Sequence, residues 1–211
     1  MFSRRSMLWL SAVVLAGATT AAQAQAVKPP EVLIKEVSTD VLDAVKADSS
    51  IRAGDVQKVI GLVDTKVMPY VDFQRMTASA VGRYWRQATP EQQKRLQDEF
   101  KILLVRTYSG ALAQVKDQTV QLKPMRSSPE DTEVVVRTEV RGKGDPIQLD
   151  YRLEKSPTGW KIYDVNVLGV WLVENYRNSF AQEIGANGID GLVAKLAERN
   201  KAAASGGTAK S

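Results

Sequence analysis

The chain has 211 residues, a formal net charge of +5, and neither cysteine nor histidine. Without cysteine there can be no disulfide, thiolate catalysis or cysteine-ligated zinc, and without histidine the commonest general base and metal ligand is missing. Arg4 and Arg5 carry two of the five charges, so the rest of the chain holds about +3, which is too little to indicate a nucleic-acid partner.

The N-terminal residues have the form of an export signal. Arg4 and Arg5 precede an apolar stretch over residues 7–18, and small-residue cleavage sites follow at about residues 24 and 26. The pattern fits Sec or twin-arginine export. We expect residues 1–24 to be removed, residues 27–200 to form a single domain and residues 201–211 to be a disordered tail. Later windows lack the roughly 18 apolar residues of a spanning helix, so the exported chain is expected to be soluble.

Apolar residues at three- and four-residue spacing predict four helices in the first half of the chain. The first runs from about Glu31 to Ala47. The second begins near Asp55, and Pro69 ends it or forces a turn. Asp72 is placed to cap the third.

The fourth and longest predicted helix opens with a capping box. In the sequence Thr89-Pro90-Glu91-Gln92, threonine and glutamine have the required spacing and proline occupies the first helical position. This helix is predicted to run from Pro90 to about Val115, with Leu96, Phe100 and Leu103 on its inward face.

After residue 116 the apolar period changes from helical to alternating, which predicts strands with one wet face. Turn residues at 124–129, 142–146 and 156–159 separate about four antiparallel strands. In the last strand Trp160 and Ile162 lie on one face and Tyr163 and Val165 on the other, so both faces are expected to be buried.

Two further helices follow the last strand. The first begins near Leu172 and ends at the glycines of residues 185–188, and the second covers about residues 189–196. Helices, a meander and more helices predict an α+β fold, with a curved antiparallel sheet packed against the helices.

Three polar or aromatic features are candidate functional sites. Asp164 shares its strand register with Trp160 and Ile162, so it is expected to face inward and to need partners or a raised pKa. Without a histidine or a metal cluster, a structural hydrogen-bonding role is favoured over a catalytic one.

The other two features could dock a partner. Arg83, Tyr84, Trp85 and Arg86 form a basic and aromatic cluster between helices, which either binds a partner or phosphates or is a solvated helix end with one packed tryptophan. Trp171 is predicted on the polar side of its helix, as an exposed docking residue or in an irregular buried contact.

The C-terminal third resembles the MlaC family, the periplasmic phospholipid carriers of Gram-negative bacteria. The residues that carry the resemblance are Tyr151-Arg152-Leu153, Tyr163-Asp164-Val165, Gly169-Val170, Leu172-Val173, Asn175-Tyr176-Arg177, Phe180 and Gly188-Ile189-Asp190-Gly191-Leu192. Upstream matches are Val71-Asp72-Phe73, Met76, Trp85-Arg86, Phe100, Leu103-Leu104 and Thr107-Tyr108. The resemblance therefore spans nearly all of the exported chain.

The resemblance implies a lipid cavity between sheet and helices. The apolar candidates for its wall are Val63, Val67, Met68, Tyr70, Phe73, Met76, Leu103, Leu104, Tyr108, Val136, Leu149, Tyr151, Val165, Val167, Leu172 and Tyr176. Periodicity alone favours a solid core at these positions. The resemblance favours the cavity for the set as a whole, although core and cavity wall look alike in sequence.

The implied function is a monomeric periplasmic carrier without cofactor or covalent chemistry, whose cargo is a diacyl phospholipid. Its implied partners are an outer-membrane lipoprotein complex and an inner-membrane ABC transporter with a lipid-binding subunit, and the candidate docking residues are Arg83, Trp85, Arg86 and Trp171. Two alternatives remain open: an exported NTF2-like, cone-shaped enzyme using Asp164, and a lipid-free adaptor of an ABC transporter.

Overall fold

The computed structural model describes residues 28–128 and 130–206, so the predicted export signal lies outside the described residues. The helices are α1 (Pro30–Ala47), α2 (Ser49–Arg52), α3 (Val56–Leu62), α4 (Phe73–Val81), α5 (Pro90–Leu112) and α6 (Leu172–Gly206). The strands are β1 (Thr119–Leu122), β2 (Glu133–Arg141), β3 (Ile147–Ser156), β4 (Gly159–Val167) and β5 (Val170–Trp171). Helices packed on one antiparallel sheet confirm the predicted α+β class.

The predicted caps start the helices at the expected places. Asp55 accepts hydrogen bonds from the first-turn amides of α3, and Asp72 accepts one from the Arg75 amide in α4. In the capping box of α5, Thr89 accepts from the Gln92 amide and the Gln92 side chain accepts from the Thr89 amide. The short helix α2, which periodicity does not predict, starts because Asp48 accepts from two backbone amides.

The second predicted helix ends earlier than expected. Regular α-helix stops at Leu62, and Val63–Val67 forms a π-helical turn followed by the 3₁₀ turn Met68–Tyr70. Pro69 has no amide hydrogen to continue an α-helix, so the chain cannot simply extend α3. A second 3₁₀ turn, Gly82–Gln87, connects α4 to α5.

The sheet is a meander with strand order β1-β2-β3-β4-β5, and every neighbouring pair is antiparallel. It has five strands rather than the expected four. Leu168 and Gly169 have φ of 53° and 90° and turn the chain back into the two-residue strand β5. Positive φ at both positions is typical of a tight hairpin turn, which asparagine and glycine usually form. A leucine at the first position does not predict such a turn.

A register shift in β4 changes which residues lie on each face, although both faces are buried as expected, with Ile162 on one and Asp164 on the other. Leu153 pairs with Ile162, whereas the preceding Arg152 pairs with Asp164, so Tyr163 is the extra residue of a β-bulge. A bulge reverses the side-chain alternation. Val165 therefore lies on the same face as Ile162, and Asp164 lies on the opposite face, contrary to the predicted register.

The sheet therefore has one apolar face and one polar face. Cross-strand partners on the apolar face include Val136, Tyr151 and Val165 in one row and Thr138, Leu149 and Val167 in the next. On the polar face, Arg75 of α4 pairs with Glu133 and Glu154, and its guanidinium lies 3.7 Å from the centroid of the Tyr163 ring. This contact fastens α4 to three strands at once.

Buried apolar residues form three separate clusters. The first joins α4, α5 and α6 around Phe100, whose ring lies 5.1 Å from Tyr176 and 5.2 Å from Phe180. The second packs the N-terminal half of α1 on the apolar face of the sheet, and the third joins the C-terminal half of α1 to α2, α3 and the C-terminal part of α5. The helix α5 is thus buried on two sides, because Val105 and Ser109 are buried in addition to the predicted inward face.

The predicted break in the last helix is confirmed at Gly188, where φ is 72° and ψ is −179°, so α6 consists of two helical segments joined at a kink. Gly185 stays helical. The second segment continues to Gly206, so residues 201–206 of the expected tail are helical. The three alanines at 202–204 explain this, because alanine has the highest helix propensity. Residues 207–211 lie outside the described residues.

Candidate functional site

The sixteen apolar residues predicted to line a cavity divide into two groups in the structure. Six are packed as core with less than a tenth of their surface exposed: Phe73, Met76, Leu103, Val136, Leu172 and Tyr176. Close aromatic contacts explain part of this burial, since the rings of Phe73 and Tyr176 both pack on Phe100. These six residues are therefore core in the structure.

The other ten residues keep more accessible surface although most of them lie between packed elements. They are Val63, Val67, Met68, Tyr70, Leu104, Tyr108, Leu149, Tyr151, Val165 and Val167, of which Tyr70 is exposed and the rest are half-buried. They come from three places: the irregular turns before α4, the helix α5 and the apolar face of the sheet. The structure brings these three places toward one another.

The three clusters meet through half-buried residues rather than through a shared core. Val71 and Val165 each contact both the first and the second cluster, and both keep accessible surface. Val67, Tyr108, Leu149 and Val167 belong to none of the three clusters of described residues. Packed interiors normally join into one contiguous core. These half-buried residues therefore lie between or outside the three clusters and are not part of their cores.

Tyr151 is the polar exception on the apolar face. Burial raises the pKa of its phenol, although hydrogen bonds with the hydroxyls of Ser38 and Thr138 oppose the rise. Thr138 Oγ1 in turn donates to the Leu149 carbonyl at 2.8 Å. This chain of hydroxyls joins α1 to β2 and β3. Part of the tyrosine side chain remains accessible to solvent.

Tyr108 is a second tyrosine among the predicted wall residues, and it lies on α5. Burial raises the pKa of its phenol, with a smaller contribution from nearby Tyr176, yet the side chain is only half-buried. Leu104, four residues earlier on the same helix, packs against the first cluster. Sequence periodicity correctly places both residues on one side of this helix.

Two concavities lie next to the first apolar cluster. A groove of about 470 Å³ is lined by Val71, Phe73, Gln97, Lys161 and the turn between β3 and β4. A pocket of about 100 Å³ lies between α5 and the two halves of α6, against Leu103, Tyr176 and Phe180. Ligand pockets usually measure about 300 to 1,000 Å³, so the second is too small for two acyl chains.

Asp164 is almost fully buried and has three partners. One carboxylate oxygen accepts from the amides of Val165 at 2.9 Å and Val173 at 3.1 Å, and the other accepts from Arg152 Nη1 at 3.1 Å. Burial raises its pKa, and these hydrogen bonds oppose the rise. Because Val173 lies in the first turn of α6, the carboxylate caps this helix from a neighbouring strand. The expectation of a buried carboxylate with partners is confirmed, and the bulge gives it the opposite face.

The candidate docking residues lie in two places. Tyr84 and Trp85 pack against the first cluster, while Arg83 and Arg86 are exposed beside them. Trp171 lies in β5 rather than on the polar side of a helix, and the Arg152 guanidinium lies 3.9 Å from its ring centroid. The indole is half-buried by this stacking.

Sequence reasoning missed three residues of this region: Ser38 and Thr138, whose hydroxyls meet Tyr151, and Val71, which joins two clusters. Ser38 lies one turn after Ile34, a core residue, so its position on the inward side of α1 could have been read from the helical period. Thr138 continues the alternation of β2.

Within the described part of the chain, no helix combines the length and hydropathy needed to cross a membrane. Over the same residues, acidic side chains form no group of three or more that could hold a metal ion.

Comparison with known proteins identifies the family. The family model described as "MlaC protein" matches residues 35–198, which is most of the chain. The chain belongs to the MlaC family. A solved structure, the phospholipid-binding protein from Ralstonia solanacearum in complex with a phospholipid, shares 52% sequence identity with a TM-score of 0.81. The match covers 84% of this chain and 99% of that one.

Two relatives from other bacteria are more distant. The toluene tolerance protein ttg2D of Pseudomonas putida is 26% identical over 185 residues, which cover 84% of this chain and 86% of that protein. The intermembrane phospholipid transport system binding protein MlaC of Haemophilus influenzae is 23% identical over 171 residues, covering 79% of this chain and 80% of that protein. The likeness to this MlaC member extends over most of each chain.

Proposed function

We propose that this chain is a periplasmic carrier that binds a diacyl phospholipid and moves it between the outer and inner membranes. The observation that carries the proposal is the 52% identity to a protein solved with a bound phospholipid. Support comes from the half-buried apolar residues of the sheet and of α5 that lie between or outside the three clusters.

The physical need for such a carrier follows from the hydrophobic effect. Each methylene group in water costs about 0.8 kcal/mol, so a diacyl lipid with some thirty of them faces about 25 kcal/mol outside a membrane. An apolar site between sheet and helices replaces bilayer contacts with protein contacts, so the lipid's free energy stays close to its membrane value. The head group can remain in water at the mouth of the site.

The half-buried residues supply the wall for the acyl chains. Leu149, Tyr151, Val165 and Val167 form two adjacent rows on the apolar face of the sheet, and half-buried Tyr108 of α5 would complete the wall. The mostly aliphatic rows offer no charge to a lipid tail. The selectivity of this wall therefore depends on volume and shape more than on head-group chemistry.

The carrier would exchange lipid with an outer-membrane lipoprotein complex and with an inner-membrane ABC transporter that has a lipid-binding subunit. Two surfaces offer side chains typical of interfaces. One is Trp171 with its stacked Arg152, and the other is the exposed pair Arg83 and Arg86 beside half-buried Trp85. Alanine at Trp171 should weaken capture by one of these partners without changing lipid content.

Native mass spectrometry of protein purified without detergent tests the central claim. We expect a stoichiometric diacyl lipid in the wild type and its loss in Leu149→Trp and Tyr108→Trp, because an added ring would occupy tail volume. Both variants should keep a cooperative melt.

Leu153→Trp is the matched control. Leu153 lies four residues from Leu149 on the same face of β3, but it is fully buried, so a larger ring should destabilise the fold by about 1 to 3 kcal/mol through overpacking. A wild-type protein that carries no lipid after exposure to vesicles would favour a lipid-free adaptor instead. Equal destabilisation at positions 149 and 153, without a change in lipid, would show a solid core at both.

A further inference from the structure

The irregular segment between α3 and α4 contacts all three apolar clusters in turn. We call residues Val63–Val71 the strap. Val63 packs against the third cluster, Met68 against the first, and Val71 against both the first and the second. The strap therefore lies where the three clusters approach one another and where the lipid wall is proposed.

The strap is weakly packed along its length. Neither its π-helical turn nor its 3₁₀ turn contains a fully buried residue, and Tyr70 is exposed. In the π turn the Met68 amide donates to the Val63 carbonyl, five residues earlier. Single π turns are rare and recur at functional sites. Segments with few buried side chains open at low free-energy cost, so the strap can move while the clusters stay folded.

Both ends of the strap are firmly held. Val59 and Leu62 of α3 are buried in the third cluster immediately before it. At the other end, Val71 forms a parallel bridge with Ile162 of β4, and the Asp72 amide donates to the Ile162 carbonyl at 2.8 Å. Movement is therefore expected only in the part of the strap between these two anchors.

Two lysines hold the middle of the strap from opposite sides. Lys101 of α5 forms an ion pair with Asp64, with Nζ and Oδ1 2.7 Å apart. Lys161 of β4 donates from Nζ to the Pro69 carbonyl at 2.6 Å. These contacts link α5 to β4, the two elements that flank the half-buried residues. They are polar and partly exposed, so they can break and re-form without exposing apolar core.

We propose that the strap is the gate of the lipid site, that the Asp64–Lys101 ion pair is its latch, and that lipid enters or leaves when this latch opens. The inference rests on the proposed carrier function. Opening moves Val67 and Met68 away from α5 and gives an acyl chain access to Leu104 and Tyr108. Closing shields the bound chains from water.

A reversible cross-link tests the gate. The chain contains no cysteine, so Asp64→Cys with Lys101→Cys can be joined by a short bifunctional methanethiosulfonate and released by reduction. Uptake of a fluorescent phospholipid from phosphatidylethanolamine and phosphatidylglycerol vesicles is then followed in time. We expect the bridged variant to take up lipid at least about tenfold more slowly than the wild type, and reduction to restore the rate.

The ion pair between Lys94 and Asp98 supplies the control, since it joins the same residue types at 2.5 Å on the exposed side of α5. Lys94→Cys with Asp98→Cys, bridged in the same way, should exchange lipid like the wild type. Asp64→Asn should speed exchange about two- to fivefold, because partly exposed ion pairs contribute little free energy, and Asp98→Asn should not.

The outcomes separate the gate from the carrier function. Uptake by the wild type with equally fast uptake by the bridged strap overturns the gate and leaves the carrier intact. Equal slowing by both bridges also overturns the gate, because it shows a general effect of cross-linking. Absence of uptake by wild type and all variants overturns the carrier function and the gate with it.

Discussion

At the residue scale, Asp164 shows how a buried carboxylate can be structural. Both of its oxygens are occupied by the amides of Val165 and Val173 and by Arg152. A general acid or base needs a free oxygen within reach of substrate, and this side chain is only 1% exposed. Its contacts instead start α6 and join that helix to the strand before it.

The raised pKa of Asp164 gives a pH prediction with a definite sign. The native state holds the proton more tightly than the unfolded chain, whose aspartate has the ordinary pKa of 3.8, so the native state binds more protons between the two values. Relative to Asp164→Asn, the free energy of unfolding of the wild type should therefore fall as pH rises above 3.8 toward neutrality. Urea denaturation of both proteins across this range measures the difference. A difference that grew with pH would mean that Arg152 and the two amides outweigh burial.

For single residues, prediction from the sequence succeeded where a local spacing rule applied. It failed where the pairing of a neighbouring strand sets the direction of a side chain. The caps Asp55, Asp72 and Thr89 follow from spacing alone, because a cap acts on amides two or three residues away. The sheet face on which Asp164 lies does not follow from spacing, because the bulged residue just before it reverses the alternation of side chains. Nothing in the residues around Tyr163 marks it as the extra one.

At the element scale, α6 is divided into two helical segments by a bend that a glycine permits. Gly188 has φ 72° and ψ −179°, a conformation that is essentially restricted to glycine. Beyond it, Leu192, Val193 and Leu196 return to the first cluster. The bend therefore lets both segments pack in the same cluster as α5.

Two glycines three residues apart test this role. Gly188→Ala should destabilise the fold by about 1 to 3 kcal/mol, because alanine is strained at this backbone conformation. Gly185→Ala should stabilise it by up to about 1 kcal/mol, since Gly185 is helical and a Cβ there would lie no closer than 4.0 Å to its nearest neighbour, Tyr84 Oη. Urea unfolding of the two variants gives both values. Opposite signs support the bend, and equal effects would mean that Gly188 can adopt ordinary helical angles.

Element boundaries were predictable where the chain carries an explicit signal. The helix α5, with its capping box, begins at the expected residue, and the meander turns fall at the expected glycines and prolines. The π turn after α3 and the two-residue strand β5 were not predictable, because each depends on contacts with distant elements. Asp64 meets Lys101 of α5, and Trp171 is stacked by Arg152 of β3.

At the scale of the whole molecule, apolar residues are shared among three clusters instead of one. The α+β class follows from the order of helical and alternating periods, and the MlaC resemblance follows from motifs spread along the chain. The sequence does not show which apolar residues are fully buried and which are only half-buried, since both groups have the same spacing. Leu149 and Leu153 illustrate this, because they share a strand face but only Leu153 is fully buried.

The proposed lipid binding also predicts that cargo stabilises the fold. A ligand that binds only the native state adds about 2.7 kcal/mol to the free energy of unfolding at a concentration one hundred times its Kd. Delipidated protein should therefore melt at a lower temperature than protein as purified, and added phospholipid should restore the difference. Calorimetry of the two forms, with Leu149→Trp as a variant that cannot respond, measures it. A melt unaffected by lipid would contradict binding between the clusters.

The bulge, the strap anchor and β5 together limit how this protein can associate with copies of itself. An outermost strand normally presents a row of unpaired amides and carbonyls that a second molecule can extend into a continuous sheet. Here the outer side of β4 is occupied at Ile162 by Val71 and Asp72 and at Asn166 and Val167 by β5, and the bulged Tyr163 interrupts the stretch between. This edge of the sheet is thus divided into segments that are too short to pair with a strand of a second molecule. The division hinders the growth of fibrils through this edge.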